Sequence, residues 1–288
     1  MKRNMTTILL FVVLFVGLAL LLYPSVSDFY NSFHQSRAVA TYNTVVEQES
    51  KKDYEADWAA ANAYNEKLRA QSTVDRLIMT DEEREEYDAV MNVGGSGIIG
   101  VIEIPQIAVT LPLYHSTNAN VLQVAVGHIE GTSLPTGEPG THSAFSAHRG
   151  LPSAKLFTNL DQLTYGDTFT LRVLDKVLTY EIDQILIVEP HDVSALQIYD
   201  GMDLCTLVTC TPYGVNDHRL LVHCVLVRGH RVETSLAQLS VRISADALVI
   251  DPYIVAPIVA APMLLILLIL MLVTTSPKNK KRKGAERS

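Results

Sequence analysis

Cys210 closes the apolar run LCTLVTCT and is followed by TPYGVND, a stretch punctuated by Pro212, Gly214, Asn216 and Asp217. That pattern sets a thiol where a strand runs out into a loop. A thiol becomes a nucleophile when a partner makes or stabilises its thiolate, and the chain's nine histidines offer partners. His148 ends the apolar run SAFSAH and is followed by Arg149, Gly150, Leu151 and Pro152, so it emerges from a strand into a loop. His128, in VGHIEGTSLPTG, has a similar setting, while His218 and His223 flank the strand after Cys210. Composition alone does not choose among them. Arg219 opens that same strand and returns beside the thiol if 211–218 joins antiparallel neighbours.

The other two cysteines read differently. Cys205 points to the face opposite Cys210 because side chains alternate along a strand, and Cys224 lies inside LLVHCVLV; both have the setting of small apolar thiols in a core. Three cysteines exclude a disulfide-dense scaffold, and their odd number leaves at least one thiol free or paired with another chain. No Cys-x-x-Cys or His-x-x-x-His spacing points to zinc, and the acidic residues read as a solvated face. We expect neither metal nor cofactor.

The elements that must position these residues follow from hydrophobic periodicity. Short β-branched runs separated by turn residues read as strands at 98–104, 109–114, 142–148, 168–174, 177–189, 204–211 and 219–232. Seven or so such strands with Pro/Gly loops fit a closed barrel or a sandwich. Ahead of them, 36–92 is rich in Ala, Glu, Lys, Gln and Tyr and reads as helix, with Val39, Tyr42, Val45 and Val46 at three- and four-residue steps. Thr80 and Glu83 have the spacing of a capping box, and a solvated stalk is the alternative reading of this block.

Two uncharged apolar runs, 8–22 and 253–273, bracket the rest, and each has the character of a membrane span. Lys2 and Arg3 precede the first, and six basic residues from Lys278 to Arg287 follow the second. Positive charge is retained on the cytoplasmic side, so both termini are expected there and the middle of the chain outside the cell. The tails hold eight basic residues against Glu286, a net of +7; the chain is −8, which leaves −15 for the rest. Such acidity argues against nucleic acid as a partner. A cleaved signal peptide is the alternative for the first run. The expected organisation is a cytoplasmic N-terminus (1–5), a span or signal anchor (6–23) and an extracellular helical extension (24–92). A catalytic β domain (93–232), a connector (233–250), a second span (251–273) and a basic cytoplasmic tail (274–288) follow.

TLVTC with a downstream Arg219, SAHRG at 146–150 and GHIEGTSLPTG at 127–137 resemble the sortase transpeptidases over about Gly100 to Val232. EIP at 103–105, GTSLP at 131–135, AHRGLP at 147–152 and LVTCTPYGVNDHRLLV at 207–222 resemble class C, the pilin-polymerising sortases, as does a second span after the catalytic domain. The resemblance implies a mainly β fold, an eight-stranded barrel with Cys210, His148 and Arg219 converging at one end. It implies that Cys210 attacks the Thr carbonyl of a Leu-Pro-X-Thr-Gly-like signal and that His148 protonates the leaving Gly amine. Arg219 stabilises developing charge or clamps substrate, and Thr209 matches a position implicated in holding substrate or oxyanion. A pilin lysine then takes the acyl group. The implied setting is the outer face of a Gram-positive cell membrane, with sorting-signal proteins as partners.

Class C sortases usually carry an N-terminal Asp-Pro-aromatic lid, and the proline-free stretch from Ser25 to Ile104 does not supply one. Asp251-Pro252-Tyr253 abuts the second span, and Asp57-Trp58 lacks the proline. Two other functions stay open: a housekeeping sortase attaching proteins to peptidoglycan, and a non-catalytic scaffold that only binds sorting signals.

Overall fold

The computed structural model describes residues 2–48 and 54–227, together with positions 262, 265 and 268. The second apolar run and the basic tail fall largely outside the described residues. The chain divides into two units, 1–29 with 240–288, and 30–239. In the first, the described part apart from positions 262, 265 and 268 is the start of α1 (Lys2–Gln48), a helix long and apolar enough to cross a membrane. α1 passes through Pro24 without interruption and takes in 24–35, where the sequence periodicity carries no signal.

In the second unit the predicted helical block resolves into the end of α1, α2 (Glu55–Arg69), α3 (Thr73–Arg76) and α4 (Asp81–Ala89). Trp58, Ala61, Tyr64 and Leu68 recur at helical spacing and form the buried stripe of α2. Thr80 caps α4 through the expected reciprocal bonds with Glu83.

The strands are β1 (Ile98–Ile104), β2 (Val109–Tyr114), β3 (Val126–His128), β4 (Thr141–Ser146), β5 (Thr168–Val173), β6 (Lys176–Val188), β7 (Asp203–Thr211) and β8 (His218–Leu226). They close into a barrel in the order β1-β2-β3-β4-β7-β8-β6-β5, with β2–β3 and β4–β7 parallel. Seven strands fall where the periodicity predicts them, six of them within two residues at each end; of the predicted run 219–232, residues 228–232 lie outside the described residues, as does the expected connector 233–250. β3 is the addition.

β7 alternates as its sequence requires. Cys205 and Leu207 face the core with Val222 and Cys224 of β8, whereas Cys210 lies on the other face and is half-buried. The strands carry Cys210 to one end of the barrel and α2 and α4 pack at the other, while α1 reaches the Cys210 end as well, where Asn31 donates to Ser153 O at 2.8 Å in the loop after His148. Tyr42 donates to Ile99 O at 3.2 Å and accepts from Leu174 N at 2.9 Å, and Trp58 Nε1 donates to Asp175 at 2.9 Å. Leu174 and Asp175 form the turn into β6, whose far end pairs with Arg219. Asn65 bonds Leu134 through both amide atoms, Arg84 pairs with Glu130, and Tyr87 bonds His128, all at the connection leading into β4. Those contacts of α2 and α4 therefore lie at the end of the barrel away from Cys210.

Candidate active site

Cys210 is the penultimate residue of β7 and is directly opposite Arg219 in the antiparallel β7–β8 ladder. On its other side β4 runs parallel, with Ser146 opposite Val208. Carried two residues further, that register sets His148 beside Cys210. The backbone supports the extension: Ala147 N donates to Val208 O at 3.3 Å and Thr209 Oγ1 donates to Ala147 O at 2.8 Å. The thiol thus sits on a central strand with an imidazole on one neighbour and a guanidinium on the other.

Each flanking residue has its backbone fixed. The His148 carbonyl accepts from Phe157 N at 3.1 Å, which closes 148–157 into a compact loop. Gly150 holds φ +76° in that loop, a conformation that favours glycine, and a Cβ there would come within 3.1 Å of the Tyr213 ring. After Cys210 the chain turns at Pro212, whose carbonyl accepts from both Val215 N and Asn216 N. Asn216, at φ 63°, returns the chain to β8, as its short polar side chain permits. The Arg219 guanidinium donates to the carbonyls of His218 at 3.0 Å and Asn216 at 3.3 Å.

Partial burial pushes the His148 imidazole below its ordinary value, which favours the neutral ring. Thr209 is buried, and its hydroxyl is committed to the Ala147 carbonyl, one residue before His148.

The remaining histidines and cysteines that the sequence offered lie elsewhere. His128 is fully buried between the Tyr87 hydroxyl and the Ser133 carbonyl, each at 2.8 Å, and burial pushes its pKa down to about 3. His223 is buried and bonded to Asp183 at 2.6 Å, and exposed His218 bonds Asp217 at 2.8 Å. Cys205 and Cys224 are cross-strand partners in the core, both as free thiols. Among the described residues no group of three or more His, Cys, Asp or Glu is arranged to hold a metal ion.

The sequence and the barrel fold match known proteins. Residues 102–227 match the family model of the sortase domain. The solved structure of sortase C1 from Streptococcus agalactiae is 44% identical, with a TM-score of 0.63 over 67% of this chain and 100% of that one. The chain belongs to the sortase family. Its relatives are cysteine transpeptidases, and the solved structures it resembles include several class C sortases. Sortase C from Streptococcus pneumoniae is 39% identical over 67% of this chain and 97% of that one, with a TM-score of 0.59. Among curated relatives, Sortase D of Bacillus subtilis is 30% identical over 114 residues, 40% of this chain and 54% of that protein. The match spans about half the length of the curated relatives.

The two residues that sequence reasoning passed over are Arg149 and Thr211. Each adjoins a candidate catalytic residue, and neither carries a periodicity signal that marks it.

Proposed function

We propose that this sortase is a membrane-anchored cysteine transpeptidase acting outside the cell on proteins that carry a Leu-Pro-X-Thr-Gly-like signal, which it joins to a lysine amine of a pilin subunit. The observation that carries the reading is the register that puts His148 and Arg219 on either side of Cys210. The Cys210 thiol passes its proton to the neutral His148 ring as the sulfur attacks the Thr carbonyl. The tetrahedral oxyanion forms on the face that Arg219 shares with Cys210, where a fixed guanidinium stabilises it. Its collapse breaks the Thr–Gly bond, and His148 returns the proton to the departing Gly amine. The resulting thioester is opened by the lysine amine, which forms an amide and releases the thiol.

The class C relatives support the pilin assignment: one is described as a sortase of a streptococcal pilus island, and another as pilus-related. α1 supplies an apolar helix of membrane-spanning length, and the basic residues at both ends of the chain favour an external catalytic domain. Full-length protein in detergent, incubated with a Leu-Pro-X-Thr-Gly peptide and an amine acceptor, is expected to give a thioester on Cys210 and an amine-linked product by mass spectrometry. Cys210→Ala should abolish both. Turnover that survives this substitution refutes the mechanism, and peptide binding without adduct in the wild type points to a scaffold.

A further inference from the structure

Two cross-strand contacts bracket the pair of groups that does the chemistry. On the barrel side, Thr209 Oγ1 donates to the Ala147 carbonyl at 2.8 Å, joining the residue before Cys210 to the residue before His148. On the outer side, Arg149 Nη1 donates to Thr211 Oγ1 at 3.2 Å, joining the residue after His148 to the residue after Cys210. The ladder itself has ended on β4 by this point, because its last paired residue is Ser146. Beyond Ser146 one backbone bond, from Ala147 N to Val208 O at 3.3 Å, continues the pairing, and the two side-chain contacts hold the segments from there.

Arg149 is built for this. Its side chain is only 8% exposed, so the guanidinium is part of the structure rather than a surface charge. Nη2 is paired with Asp161, in the single turn Leu160–Gln162 that follows the His148 loop. The guanidinium also lies 5.9 Å from the centre of the Tyr213 ring, which belongs to the segment after Cys210. One planar fork therefore engages both segments through different nitrogens, a geometry that lysine's single ammonium does not reproduce.

We infer that Arg149 is a positioning residue for the transpeptidation: it clips the segment leaving His148 to the segment leaving Cys210 and so fixes the imidazole against the thiol. The inference rests on the assignment of Cys210 and His148 as the reacting pair. A displacement of about 1 Å between reacting groups costs on the order of 100-fold in rate. Because Arg149 is buried, its loss should fall on the rate of thioester formation and leave peptide affinity nearly intact.

The experiment compares wild type, Arg149→Ala, Arg149→Lys and Thr211→Val as full-length proteins in detergent, each checked for folding by its thermal melt. Arg149→Ala should lower kcat by about 100-fold with KM within about threefold of wild type. Arg149→Lys should recover only part of the loss. Thr211→Val, which removes the hydroxyl and keeps the shape, should lower kcat in the same direction, and combining it with Arg149→Ala should add little. Amide hydrogen exchange supplies a readout independent of turnover: in Arg149→Ala, 148–158 and 211–217 should lose protection together while β7 and β8 keep theirs.

Full rescue by lysine, loss confined to KM, or exchange that rises in one segment alone overturns the clip. Failure of the wild type to form a thioester overturns the functional reading instead, and the exchange comparison then still decides whether Arg149 joins the segments. If Arg149→Ala does not fold, Thr211→Val carries the decision, through its kcat and through exchange in the same two segments.

Discussion

Replacing Tyr87 by Phe removes a single oxygen from the junction between α4 and the barrel. The ring is fully buried and packs against Tyr64, His115 and His128, with centroids 5.0–5.7 Å away. Burial holds the phenol well above its usual pKa, so the hydroxyl keeps its proton. It donates to His128 Nδ1 at 2.8 Å and accepts from Ser116 N at 3.3 Å. Phenylalanine retains the ring and its packing but leaves an imidazole nitrogen and a backbone N–H buried without partners. Each such orphan costs about 1–3 kcal/mol, so the expected loss is about 2–6 kcal/mol. At about 2–4 °C per kcal/mol for a domain of this size, the melting temperature should fall by about 4–24 °C. Circular dichroism of wild type and variant measures this directly. Because Tyr87 bonds to the barrel at the end away from Cys210, thioester formation well below the melt should be unchanged. A melting temperature within about 2 °C of wild type would refute the argument that this hydroxyl holds α4 to the barrel.

Native protein should react with one equivalent of a thiol reagent at Cys210, because Cys205 and Cys224 are fully buried. Denatured protein should react with three, and a native reading of zero from Cys210→Ala completes the assignment. The pH dependence of stability has a definite sign, since burial holds His128 near 3 and His142 near 4 against an ordinary value of 6.5. Below pH 6.5 the unfolded chain takes up protons that the folded chain refuses. Urea-unfolding free energy attributable to these groups should therefore be complete above pH 6.5 and decline as the pH falls toward 4 and then 3. A flat profile across that window would contradict their burial as neutral rings.

The barrel was legible because its strands are half-buried and their alternation is written in the residues themselves. The run LCTLVTCT even fixes which thiol faces the core. β3 escaped because VGH is too short for alternation and contains a glycine; it is a strand only because Gly127 and His128 pair with Ser146 and Phe145. The helical block was legible as helix and its capping box as a start signal, yet nothing in the residue order says which end of the barrel it covers. That is decided by long-range polar contacts such as Asn65 with Leu134 and Trp58 with Asp175. Cys210, His148 and Arg219 stood out through their strand-end positions and a family resemblance. The side chains that brace them did not, because the Arg149–Thr211 contact joins residues 62 positions apart.

The parallel pairing of β4 with β7 bears on when the protein becomes reactive. β4 leaves its place beside β7 vacant until β5, β6 and their connections have been made, and β8 follows last of all. Contacts this distant in sequence form late in folding, after the entropy of closing long loops has been met. A nascent chain thus carries Cys210 as an ordinary thiol, without its flanking imidazole and guanidinium. Under the proposed mechanism, acyl transfer is expected only once β8 is seated, because a fragment ending before that strand lacks Arg219.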